Sequence, residues 1–173
     1  YLYVAGMTCG SVISTSLGNG QILTPGVYCT GAASSLDGDL ILDGQGDPDA
    51  LFIFQIDGLL SAGILSNVIL INAASLDNVY WQINGALNLA DNAIFKGTVV
   101  GNGAISLMEG ASLLGRGLTR AGAITLNNNT VGPGPAPLPI TLTSFDANKC
   151  DTKTCADLTW KTAGEFNSDY FLI

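Results

Sequence analysis

Histidine is absent from the 173 residues, and six lysines and arginines stand against fourteen aspartates and glutamates. The first absence removes the Ser/His and Cys/His nucleophile systems. The second leaves a net charge of −8, which argues against nucleic acid or anionic membrane as a partner, since phosphate contact needs basic patches. Charge of either sign makes up only 12% of the chain, too little for a solvated disordered segment. No apolar run approaches the ~20 residues that cross a bilayer. There is no initiating Met or signal peptide, and the chain reads as a mature or trimmed product. Threonine is missing from residue 31 through residue 97. The four cysteines show no CxxC spacing, which disfavours zinc. They form two close pairs, Cys9 with Cys29 and Cys150 with Cys155, the second flanking a polar loop. Two disulfides are the better expectation and place the chain in an oxidising setting outside the cytoplasm.

What is abundant is apolar residues, at 47%, together with 22 glycines. Three phrases repeat: Gly85-Ala86-Leu87-Asn88-Leu89, Gly103-Ala104-Ile105-Ser106-Leu107 and Gly122-Ala123-Ile124-Thr125-Leu126, beginning 18 and 19 residues apart. Ala93-Ile94-Phe95-Lys96-Gly97 and Ala111-Ser112-Leu113-Leu114-Gly115 follow in the same register. A short fixed period marks a solenoid, each coil burying its apolar edge against its neighbours. Apolar residues on alternate positions indicate strands. A coil of this length holds about three short strands and three corners, so the sequence predicts an all-β, parallel β-solenoid of triangular section.

Residues 1–10 read as the last turns of a helix ended by Gly6. Pro25-Gly26 presets a turn into a strand. Further strands are expected at Leu40–Leu42, Leu51–Ile56, Val68–Ile71 and Val79–Ile83, with Phe52, Phe54, Trp81 and Phe95 as core residues rather than a ligand platform. Residues 1–131 form the solenoid in this reading. Residues 132–139, with four prolines, are an extended linker. Residues 140–173 alternate like the opening hairpin of a β-sandwich, the strands joined by the Cys150–Cys155 loop. One hairpin is not stable alone, so this tail is expected to be cut short or to pair with another domain or molecule.

Asp37, Asp39, Asp43, Asp47 and Asp49 are the densest charge. Clustered oxygens suit calcium, but the spacing lacks the helix-loop-helix calcium pattern, and Asp among glycines also suits Asx turns; the turn is the stronger reading. No cofactor or metal is expected. Arg116 and Arg120 fall on one strand face by alternation, where they either grip an anion or lie over polar loops. Nothing singles out a carboxylate pair for glycoside cleavage, and an enzyme is not expected.

Five phrases in order carry a resemblance: Leu23-Thr24-Pro25-Gly26-Val27-Tyr28-Cys29, Leu42-Asp43-Gly44-Gln45-Gly46-Asp47-Pro48-Asp49-Ala50, Phe52-Ile53-Phe54-Gln55-Ile56, Val79-Tyr80-Trp81-Gln82-Ile83, and Gly115-Arg116 with Ala123-Ile124-Thr125-Leu126. Together they resemble the ice-binding-like family of microbial secreted proteins. The resemblance implies a right-handed, discontinuous β-solenoid with one long helix alongside, of which this chain would keep a short remnant. Cys9 and Cys29 fall where some members carry a pair. The tail, from Leu138 to Phe145 with Leu158 to Ala163 and Asn167 to Phe171, is similar to the region after the main domain in many Bacteroidetes cell-surface proteins, which often leave by type IX secretion.

In the resembling proteins a regular, sparsely charged strand face meets ice. In the three repeated phrases the apolar flanks point inward, and the outward column is Asn88, Ser106 and Thr125. These side chains are small, polar and uncharged, compatible with ordering water and with any solvated strand. Family members often carry Thr where this chain has Gly103 and Gly122. The expectation is a secreted or cell-surface, non-enzymatic module contacting ice or another extended surface. The alternative is a structural adhesin or fibre subunit joined to neighbouring copies by strand addition.

Overall fold

The structure is a computed structural model of the chain and describes residues 6–133, 142–149 and 156–162. The chain divides into two compact units, Tyr1–Gly134 and Pro135–Ile173. In the first, short strands separated by tight turns wind into six stacked coils. Coil one holds β1 (Ser11–Val12), β2 (Ser16–Gly18) and β3 (Gln21–Leu23); coil two β4 (Gly26–Thr30), β5 (Ser34–Asp37) and β6 (Asp39–Asp43). Coil three holds β7 (Phe52–Ile56), β8 (Leu60–Ala62) and β9 (Asn67–Ile71). Coil four has β10 (Val79–Ile83), β11 (Leu87–Leu89) and the first half of β12 (Ile94–Gly101). The rest of β12, β13 (Ile105–Leu107) and the first half of β14 (Ser112–Thr119) make coil five. Coil six closes with β15 (Ile124–Thr125) and β16 (Thr130–Gly132).

Each strand pairs in parallel with its counterpart one coil away, giving three walls in chain order: β1-β4-β7-β10-β12-β14, β2-β5-β8-β11-β13-β15, and β3-β6-β9-β12-β14-β16. The first and third walls merge into one sheet, because β12 and β14 run through the corner between them without a break. Gly97 and Gly115 make that bend, with φ of +111° and +140°. A Cβ on Gly115 would stand 2.1 Å from the Gly97 carbonyl oxygen, so both the backbone angle and the approach require glycine.

Alternation sends one set of side chains inward. Leu17, Leu36, Leu60 and Leu87 line the second wall's inner face, and Phe52, Phe54, Trp81 and Phe95 are wholly buried. Tyr28, Phe54 and Trp81 stack from coil to coil with ring centroids 5.5 and 3.9 Å apart, and Phe95 packs tilted against Trp81 within coil four at 4.6 Å. Trp81 Nε1 donates to the Lys96 carbonyl at 2.9 Å, so the largest core ring carries no unmet polar group.

Residues 6–10 are turn and bend, not helix, so the predicted helix end is corrected there; its residues 1–5 lie outside the described residues. Helix among the described residues is limited to one 3-10 turn, Leu76–Asn78. The second unit pairs β17 (Leu142–Lys149) with β18 (Ala156–Thr162) in antiparallel register, Phe145 opposite Trp160. Cys150 and Cys155 lie outside the described residues.

Candidate functional site

The outer face of the second wall is the most regular surface of the solenoid. Its central column runs Ser16, Ser35, Ser61, Asn88, Ser106, Thr125, each in register with the next. The predicted Asn88, Ser106 and Thr125 are thus brought together on consecutive rungs. Ser16, Ser35 and Ser61 extend the column and were not foreseen. Their signal was an outward serine beside buried apolar residues, as in Leu60-Ser61-Ala62. The flanking Leu87, Leu89, Ile105 and Leu107 are buried as alternation requires, which holds the column outward. On the last described rung the equivalent Ile124 and Leu126 remain 50% and 56% exposed.

Two residues upstream lies a second column: Ala33, Leu59, Ala86, Ala104 and Ala123. The ladder continues through it: Ser34 N donates to Leu59 O at 2.7 Å, Leu60 N to Ala86 O, Leu87 N to Ala104 O and Ile105 N to Ala123 O, each at 2.9 Å. Beyond it stands a column of glycines at 58, 85, 103 and 122. Gly85 N donates to Gly58 O at 2.8 Å and Gly103 N to Gly85 O at 2.9 Å. A Cβ on Gly103 would stand 2.7 Å from the Gly85 oxygen, and one on Gly122 only 2.1 Å from Ala104 N. Coils four to six therefore present three rungs of Gly-Ala and a small polar residue. No charge lies in these rungs. Neighbouring strands are ~4.8 Å apart and alternate residues on a strand ~6.6 Å apart, so the side chains form a two-dimensional net.

The other walls differ. On the first wall the outward Ile53, Gln82 and Thr98 are buried, whereas Val12 and Leu118 at its two ends are exposed, so this face is uneven. On the third, Ile22, Ile41 and Ile69 form a registered column beside Asp39 and Asp43, mixing apolar and charged groups. A cavity of about 510 Å³ beside the first wall is lined by Cys29, Thr30, Gln55, Asp57, Gln82 and Asn84, among others. Asp57 supplies the single carboxylate of its described lining and accepts from Asn84 Nδ2 at 2.9 Å.

Cys9 and Cys29 are joined by a disulfide. The aspartates build turns: Asp43 Oδ1 accepts from Gln45 N at 2.8 Å and Asn72 Nδ2 at 2.9 Å, and Asp47 Oδ1 from Asp49 N at 2.9 Å. No group of three or more His, Cys, Asp or Glu is placed to hold a metal among the described residues. Arg116 reaches Asp77 at 3.9 Å on the exposed surface. No helix among the described residues is long and apolar enough to cross a membrane.

Residues 1–132 match the family model described as ice-binding-like. The chain is 39% identical over 122 residues to "Ice-binding protein 1" of Shewanella frigidimarina, a match covering 69% of this chain and 14% of that protein. It is 37% identical over 113 residues to the "Ice-binding protein" of a Nostoc species, covering 65% and 42%. Among solved structures, the DUF3494 domain of the Shewanella frigidimarina protein superposes with a TM-score of 0.72 at 37% identity, covering 76% of this chain and 57% of that one. An ice binding protein from an Antarctic Flavobacteriaceae bacterium gives 0.73 at 39%, covering 83% and 36%. The chain thus spans less than half the length of these two curated relatives. With the family model covering the whole solenoid, the chain belongs to the ice-binding-like family.

Proposed function

We propose that the solenoid is a non-enzymatic module that binds ice through the outer face of its second wall. The observation that carries this reading is the unbroken register from Ser16 to Thr125, six rungs of small uncharged polar side chains. The names of its relatives supply the ligand. A stack of hydrogen-bonded rungs is ordered before contact, so little conformational entropy is lost on binding. Hydroxyls and methyls held on a fixed net then order adjacent water collectively.

The disulfide supports a secreted or cell-surface location. Residues 132–139 serve as linker, and residues 140–173 as a secretion- or surface-associated segment. The alternative, an adhesin or fibre subunit, draws on the exposed Ile124, Leu126 and Val131 of the last described rung but on none of the relatives' names.

Thermal hysteresis and inhibition of ice recrystallisation, measured on the purified chain, test this reading. Thr125→Tyr puts a bulky ring on the net without entering the core; most of the activity should vanish at an unchanged melting temperature. A parent chain with no hysteresis and no ice shaping would refute it.

A further inference from the structure

The alanine column is broken once. Ala33, Ala86, Ala104 and Ala123 are small, whereas Leu59 stands between them with 37% of its surface exposed. A branched side chain there rises above the level set by its neighbours. The far rim of the same face carries Gly18, Asp37, Gly63, Ala90 and Met108, two residues beyond the polar column; Met108 is 45% exposed but uncharged, and it stands at the rim rather than in the alanine column. Asp37 is exposed, and its Oδ1 lies 2.6 Å from where a Cβ on Gly63 would be. The carboxylate therefore leans across coil three at the edge of the net. Coils two and three carry the right polar residues, Ser35 and Ser61, yet each also carries an obstruction. One is steric. The other is a charge whose tightly held water would have to be stripped or rearranged on contact.

We propose that Leu59 and Asp37 confine the ice-contacting net to coils four, five and six, and so set the strength of the contact. This rests on the reading that the second wall binds ice. Removing both obstructions lengthens the matched net from three rungs to five. Coil two then joins through Ala33 and Ser35, and coil three through Ser61 beside the alanine that replaces Leu59.

The test uses the full chain and compares four proteins at equal concentration: the parent, Thr125→Tyr, Leu59→Ala/Asp37→Ser, and the triple variant. The expected result is a hysteresis gap roughly twofold larger for the double variant, since contact grows with matched area, and its collapse in the triple variant. An active parent, an inactive Thr125→Tyr and a double variant no better than the parent would overturn the inference alone. A silent parent with a silent double variant would overturn the ice reading with it. If the double variant melts early, Leu59→Ala/Asp37→Asn decides the matter, because it lifts both obstructions while removing the charge at constant shape. It should still widen the gap, and an unchanged gap refutes the proposal.

Discussion

At the scale of single residues, the glycines at 58, 85, 103 and 122 decide how closely successive coils approach at one corner of the second wall. Members of the resembling family often carry threonine at the third and fourth of these positions, where its methyl and hydroxyl would join the face. Here the space is already taken by backbone: the Cβ of such a side chain would meet the Gly85 oxygen at 2.7 Å. Gly103→Thr should therefore destabilise the solenoid by about 1–3 kcal/mol, an overpacking cost, read as a fall in the urea midpoint at constant slope. An unchanged midpoint would mean that the coils separate freely at this corner. The polar column was legible in sequence only where the phrases recur. From Asn88 to Ser106 is 18 residues and from Ser106 to Thr125 is 19, but Ser35 to Ser61 is 26 and Ser61 to Asn88 is 27. The extra residues sit in the loops 44–51 and 72–78, which hide the period without moving the rungs.

Those loops belong to the scale of elements. They extend the ladder instead of interrupting it: Gly44 N donates to Ile71 O and Gly46 N to Asn72 O, both at 3.0 Å, and Asn78 Nδ2 to Pro48 O at 3.0 Å. Strand positions were readable from alternation, and β10 spans Val79–Ile83 as expected. That β12 and β14 each serve two walls was not readable, since it depends on glycine pairs approaching across coils. Lys96 lies on the first half of β12, opposite Leu114. Burial lowers its ammonium below the ordinary 10.5. With its folded value depressed, the charge weighs on the native state in full at neutral pH. That penalty fades as pH climbs through the folded value towards 10.5. Lys96→Met should raise the melting temperature at pH 7, with the gain narrowing near pH 10. A gain that is constant across this range would assign the effect to packing instead.

For the molecule as a whole, the Cys9–Cys29 bond ties the chain's start to β4 across a separation of 20 residues. Closing a loop of that size contributes about 3 kcal/mol in the chain-entropy account. The bond lies on the first wall, away from the second. Cys9→Ser/Cys29→Ser should lose about that much unfolding free energy while the proposed ice activity near 0 °C is retained. Equal loss of both would show that the bond shapes the net itself.

The matched rungs of coils four to six have one more consequence. Residues 98–115 run from just after Gly97 to Gly115, two glycines that face each other across neighbouring coils. A tandem copy of this segment would splice in as a complete extra storey, because Gly115 hands the chain on as Gly97 does. The molecule can thus grow like a ruler, its working edge lengthening by duplication alone.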